Sequence, residues 1–127
     1  MAHILVVDDD ELLGETVRAI LESEGHAVGY VSSGEAAIET IALKRPDLII
    51  LDAMMPGIPG EEVLRRVRAS DGSYRTPVLM LTARRNESDV QIAMRAGADD
   101  YLKKPFDPDR LLAHVDILLE SGRKRVV

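Results

Sequence analysis

Hydrophobic residues gather in short runs of strand length: Ile4 to Val7, Val28 to Val31, Leu48 to Leu51 and Val78 to Leu81, with a weaker run at Tyr101 and Leu102. Between and after these runs the apolar spacing lengthens to three and four. It does so at Leu13, Val17, Ile20 and Leu21, at Ala37, Ile38 and Ile41, and at Val63, Leu64 and Val67. The same spacing returns at Val90, Ala93 and Met94, and at Leu111, Val115, Leu118 and Leu119. The pattern predicts five strands alternating with five helices. The strand runs are continuously apolar instead of alternating with polar residues, so both faces of the sheet should be covered, as helices on both sides of a parallel sheet require. The expected fold class is α/β: one doubly wound (βα)5 domain.

Local punctuation fits this reading. Ser32 and Glu35 have capping-box spacing, Asn86 can cap ahead of Glu87 and Asp89, and Asp107 before Pro108 has the order of an N-cap and a first helical residue. Gly25 and Gly97 stand where helix ends need a left-handed residue, and Pro46 stops a helix ending at Arg45. The expected domain covers residues 1–120, with 121–127 as the frayed end of the last helix or the start of a linker.

Composition narrows the function. The chain has 127 residues, a length that suits one hydrophobic core. Its 46% hydrophobic and 30% charged residues are ordinary for a soluble globular domain. With 16 basic and 22 acidic side chains the formal charge is −6, which argues against a general nucleic-acid or anionic-membrane surface and toward cationic ligands. The absence of cysteine excludes disulfides, thiolate catalysis and thiolate metal sites. His3, His26 and His114 share no ligand spacing, so no zinc site is expected. No apolar run has the length of a signal-peptide core or a membrane span, and the expected location is the cytoplasm.

In an open parallel α/β sheet, ligands bind beyond the carboxyl ends of the strands. Asp8, Asp9 and Asp10 follow the first run, Asp52 ends the third, Thr82 and Ala83 follow the fourth, and Lys103, Lys104 and Pro105 follow the last. Clustered carboxylates repel by about 4 kcal/mol per pair at ~4 Å and an effective dielectric near 20, so a cation must offset them. Lys104 can supply one charge, and a hard divalent ion such as Mg²⁺ suits carboxylates, water and phosphate. The crowding should also raise the pKa of at least one of these acids when metal is absent. Asp10 reads as a helix cap, Met54 and Met55 as packing residues, and one of Lys103 and Lys104 as a solvated charge.

The run Ile4 to Asp10, the segment Asp47 to Gly57 with Gly60, the triplet Leu81, Thr82 and Ala83, and Lys104, Pro105 and Phe106 together resemble the receiver domain of bacterial response regulators, CheY-like signalling domains of two-component systems. That resemblance implies strand order 2-1-3-4-5 and a cis peptide between Lys104 and Pro105. It implies that Asp52 accepts a phosphoryl group from a phosphohistidine on a partner, a sensor histidine kinase or a phosphotransfer protein. Asp8, Asp9, Asp52 and the Met54 carbonyl would hold Mg²⁺, with Asp9 a direct ligand and Asp8 acting largely through water. Thr82 and Lys104 would contact the phosphoryl group, and Thr82 and Tyr101 would act as the switch. It further implies output through the fourth helix, fifth strand and fifth helix to an effector domain or protein, with a phosphorylation-dependent homodimer as one form. The domain would be a signalling module, not an enzyme, though it assists its own phosphorylation and dephosphorylation. Asp99 and Asp100 match a dimer-face feature of the winged-helix transcription-factor subfamily, but His114 and Arg110 stand where that subfamily usually has an Arg and a Glu. Met54 and Arg84 occupy the two positions that tune hydrolysis of the aspartyl phosphate.

Two alternatives stay open at the level of sequence. Asp8 and Asp10 form an Asp-x-Asp that resembles haloacid-dehalogenase-type phosphatases with Asp8 as nucleophile, although there the lysine precedes the acidic pair and Asp52 would have no role. The other alternative is an interaction module that is never phosphorylated.

Overall fold

The computed structural model describes residues 2–83 and 87–126. Asn86 and Arg84, which the sequence marks as a cap and a tuning position, lie outside the described residues. Among the described residues, strands β1 (His3–Val7), β2 (Ala27–Val31), β3 (Leu48–Asp52), β4 (Val78–Thr82) and β5 (Asp100–Lys103) alternate with helices α1 (Glu11–Ser23), α2 (Gly34–Lys44), α3 (Gly60–Ala69), α4 (Glu87–Ala96) and α5 (Pro108–Val126). The sheet is parallel throughout, as the apolar pattern predicts, with order β2-β1-β3-β4-β5, as the resemblance implies. The expected domain boundary at residue 120 lies inside α5.

The twofold alternation of strand side chains sorts the interior into two layers. Ile4, Val6, Val28, Leu48, Ile50, Leu79, Leu81 and Leu102 pack with Val17 and Leu21 of α1 and Leu111, Val115 and Leu118 of α5. Leu5, Val7, Ile49, Leu51, Val78 and Met80 face the other way, onto Ala37 and Ile41 of α2, Val63, Leu64 and Val67 of α3, and Ala93 of α4. Full burial holds for the central strands only. On the edges, β2 keeps a single buried residue, Val28, and β5 a single buried residue, Leu102. Coverage on both faces is thus a property of β1, β3 and β4, and the edge strands stay half-wet because each has a neighbour on one side alone.

Helix ends follow local chemistry, with one correction. Asp10 caps α1 by accepting from the Leu13 N–H at 3.2 Å, and Asp107 accepts from the Arg110 N–H at 2.9 Å. Gly25 and Gly97 have positive φ, as expected. The cap of α2 is Ser33, not Ser32: its hydroxyl accepts from the Ala36 N–H at 3.2 Å. With the start shifted by one residue, Glu35 does not fold back as a capping box and instead accepts from the Ile58 N–H at 3.4 Å in the loop after β3.

Arg68 of α3 ties the far end of the sheet together. Its guanidinium donates to the carbonyls of Gly97 (2.9 Å), Thr76 (2.6 Å) and Tyr74 (3.3 Å), and pairs with Asp99 at 2.6 Å. The same Asp99 oxygen accepts from the Val78 N–H at 2.8 Å. Asp99 therefore faces inward onto Arg68 and the Val78 N–H, whereas Asp100 bonds His114 on α5. Arg68→Ala removes the cation beside a mostly buried carboxylate and a donor to three carbonyls, and is expected to cost about 3 kcal/mol in urea unfolding. A loss under about 1 kcal/mol, the range of an exposed pair, contradicts this account of the network.

Candidate functional site

The strand register sets the site. Val7 lies opposite Leu51, Asp52 opposite Leu81, and Thr82 opposite Lys103. Asp8, Asp52, Thr82 and Lys104 therefore come off the carboxyl edge at nearly one height. Alternation then divides them: Asp8 extends the Ile4, Val6 series, Asp52 the Leu48, Ile50 series, and Lys104 follows Leu102, all on the α1/α5 side. Thr82 follows Met80 and Tyr101 packs on the α2/α3/α4 side. This periodicity separates Lys104 from the exposed Lys103 on physical grounds, a signal the sequence already held.

Lys104 joins the acids. Its Nζ lies 3.1 Å from Asp8 Oδ2 and 3.3 Å from Asp52 Oδ1. Asp8 is 1% exposed and Asp52 4%. Oxygens of Asp8, Asp9 and Asp52 lie within 4.8 Å of one another, and Asp9 faces solvent. Backbone donors hold the buried pair: the Asp10 N–H donates to Asp8 Oδ1 at 2.9 Å and the Met54 N–H to Asp52 Oδ1 at 3.3 Å. The Asp8 carbonyl accepts from the Tyr30 hydroxyl at 2.6 Å. Asp10 is spent on its helix cap and stays outside the cluster. The Lys104–Pro105 peptide is cis, as the resemblance implies.

The loop after β3 is pressed against the site by α3. A Cβ at Gly60 would lie 2.2 Å from the Asp52 carbonyl oxygen and 2.9 Å from Ala53 Cα, so only glycine lets the first turn of α3 sit on this backbone. Met55 is buried there, but Met54 is 54% exposed, which corrects its reading as a packing residue. The turn that buries Met55 points Met54 away from the core. Thr82 is buried, and with Tyr101, Ala53, Glu61, Met80, Val90 and Ala93 it lines a small cleft beside Asp52.

Electrostatics follow from one ammonium serving two buried carboxylates. Burial pushes Asp52 up to about 6; Lys104 lowers it, Asp8 raises it, the Met54 N–H lowers it and a hydrogen bond with Asp9 raises it. Burial opposes the charge of Lys104 too, but the carboxylates of Asp52 and Asp8 outweigh that and raise its pKa. The lysine gains from both acids, while Asp52 has only a share of the lysine. One site acid is therefore raised, as the sequence predicts, although desolvation is a larger cause than crowding. Burial, then the charges of Glu11, Asp8, Glu15 and Asp10, push the Tyr30 phenol upward and keep it a proton donor.

A carboxyl whose folded pKa stands above its unfolded value of 3.8 binds protons more tightly in the folded chain. Its contribution to stability is greatest below pH ~4, declines as pH rises to about 6, and is flat above. In chelator at neutral pH, Asp52→Asn is expected to unfold at higher urea than the parent, by on the order of 2 kcal/mol, with the advantage gone near pH 4. Equal stability at both pH values contradicts a desolvated Asp52.

Comparison with known proteins agrees with this geometry. The family model described as the response regulator receiver domain matches residues 4–116. The transcriptional regulatory protein AfsQ1 of Streptomyces coelicolor is 38% identical over 124 residues, covering 98% of this chain and 54% of that protein. The DNA-binding response regulator MtrA of Mycobacterium tuberculosis is 43% identical over 113 residues, covering 89% of this chain and 48% of that protein. The chain thus spans about half the length of these curated relatives. The chemotaxis protein CheY4 of Vibrio cholerae superposes with a TM-score of 0.89 at 33% identity, over 93% of this chain and 98% of that one. Five parallel strands in this order, acids and a lysine on their carboxyl edge, and a family match across nearly the whole sequence lead to one conclusion: the chain belongs to the response regulator receiver domains of two-component signalling.

Proposed function

We propose that Asp52 accepts a phosphoryl group from a phosphohistidine of a partner kinase, and that this modification alters the surface formed by α4, β5 and α5, which acts on an effector domain or protein. The observation that carries the reading is Lys104 bridging Asp8 and Asp52 on the strand edge. An Oδ of Asp52 attacks phosphorus, the phosphorus–nitrogen bond breaks, and its electron pair returns to the imidazole. With its pKa near 6, Asp52 is ionised at neutral pH yet more basic than an ordinary carboxylate, which favours attack. In this reading the Lys104 ammonium pairs with one phosphoryl oxygen and the Thr82 hydroxyl donates to another. Thr82 and Tyr101 share one cleft, so a shift of Thr82 opens room into which Tyr101 can turn.

The donor set suits magnesium. Asp8, Asp9 and Asp52 offer hard oxygens within 4.8 Å, with no sulfur or imidazole among them, and three carboxylates face a single ammonium. Asp8, Asp9, Asp52 and the Met54 carbonyl would hold the ion, which when bound supplies positive charge to the phosphoryl oxygens. Among the described residues no helix is long and apolar enough to cross a membrane.

Incubation with acetyl phosphate and Mg²⁺ should add one phosphoryl group by intact mass and change Tyr101 fluorescence, and Asp52→Asn should abolish both. Label carried by Asp8 instead favours the phosphatase reading, and no label with an unchanged Tyr101 favours the pure interaction module. The exposed Met54 side chain has no group that orients an attacking water, so the adduct should persist for minutes after the donor is removed. Decay within seconds contradicts that role.

A further inference from the structure

We propose that Tyr30 is a positioning residue for the metal-binding acids, seated in a notch that Gly14 leaves in α1. The inference rests on the functional reading above. Gly14 lies inside α1, is buried and has no positive φ that would call for glycine, and glycine is a poorer helix former than alanine. Sterics supply the reason for its presence: a Cβ there would stand 2.2 Å from Tyr30 Cε1 and 2.8 Å from both Cδ1 and Cζ. The ring therefore lies directly on the helix backbone and packs against the α1/α5 layer. That seat carries its hydroxyl to the Asp8 carbonyl at 2.6 Å.

Phenylalanine would fill the same space, so packing does not account for the hydroxyl. Its effect falls on the peptide between Asp8 and Asp9. Asp8 is fixed at its N–H by the Val31 carbonyl (3.2 Å), at Oδ1 by the Asp10 N–H (2.9 Å) and at Oδ2 by Lys104 (3.1 Å). The Tyr30 bond fixes the remaining polar atom, the carbonyl oxygen. A peptide unit is rigid and planar, so holding that oxygen sets the direction in which Asp9 leaves. Asp9 is the exposed member of the acid cluster, and its placement beside Asp8 and Asp52 depends on that plane.

The test titrates MgCl2 into the full chain by calorimetry and records unfolding in chelator alongside. Tyr30→Phe should weaken Mg²⁺ binding several-fold, and the metal-free unfolding midpoint should fall by no more than the share of one hydrogen bond. Gly14→Ala, which pushes the ring off its seat, should weaken binding similarly. Because both act through the same bond, the double variant should bind no more weakly than the weaker single one. If Tyr30→Phe binds Mg²⁺ like the parent, whatever its stability, or if the two losses multiply, the positioning role is overturned while the functional reading stands. If the parent itself binds no Mg²⁺, the functional reading falls and takes this inference with it.

Discussion

Three carboxylates gather at the carboxyl edge of the sheet, and one ammonium bridges the two that are almost wholly buried. At neutral pH that leaves the cluster short of positive charge. The partial dehydration of Asp8 and Asp52 makes the shortfall more costly than it would be in water. A fold optimised for stability alone would place apolar side chains there. Instead, backbone donors from Asp10 and Met54 hold two acceptor oxygens in place, and Lys104 bridges the pair. Under the function proposed above, a divalent cation would offset that imbalance.

The rest of the architecture serves to maintain that arrangement. Parallel pairing of β1, β3, β4 and β5 in register brings residues distant in sequence to one height, and the two apolar layers keep those strands from sliding. The α1/α5 layer carries the charged cluster, and the α2/α3/α4 layer carries Thr82 and Tyr101. The charged cluster and the cleft shared by Thr82 and Tyr101 thus occupy opposite faces of the same strand ends. Gly60 lets α3 press on the carbonyl of Asp52, so the acid is braced through its backbone as well as its side chain.

Much of this was legible in the order of residues. The five apolar runs mark the strands to within one or two residues, and their strand ends expose the acids, the threonine and the lysine at once. What escaped depended on contacts between distant segments. Ser32 and Ser33 are chemically equal as caps, and tertiary packing of the loop after β3 on α2 decides between them. Met54 and Met55 are identical residues side by side, and only the turn shows which one is buried. The edge strands read as fully covered because apolar content reports burial of side chains without revealing which strand lacks a neighbour. The Gly14 and Tyr30 pairing is invisible in one dimension, since neither residue is unusual until the helix lies on the strand. Alternation does distinguish Lys104 from Lys103, and that signal needed only the strand period.

We propose that Asp8, Asp9 and Asp52 form one electrostatic unit that a divalent cation completes. Carboxyl-carbon NMR of these side chains, titrated with pH in chelator and again in excess Mg²⁺, addresses it directly. Asp52 is expected to titrate near 6 without metal and at lower pH with Mg²⁺, and the signals of all three acids are expected to shift together on metal addition. An Asp52 that titrates at the ordinary carboxylate value, or signals indifferent to Mg²⁺, would contradict it.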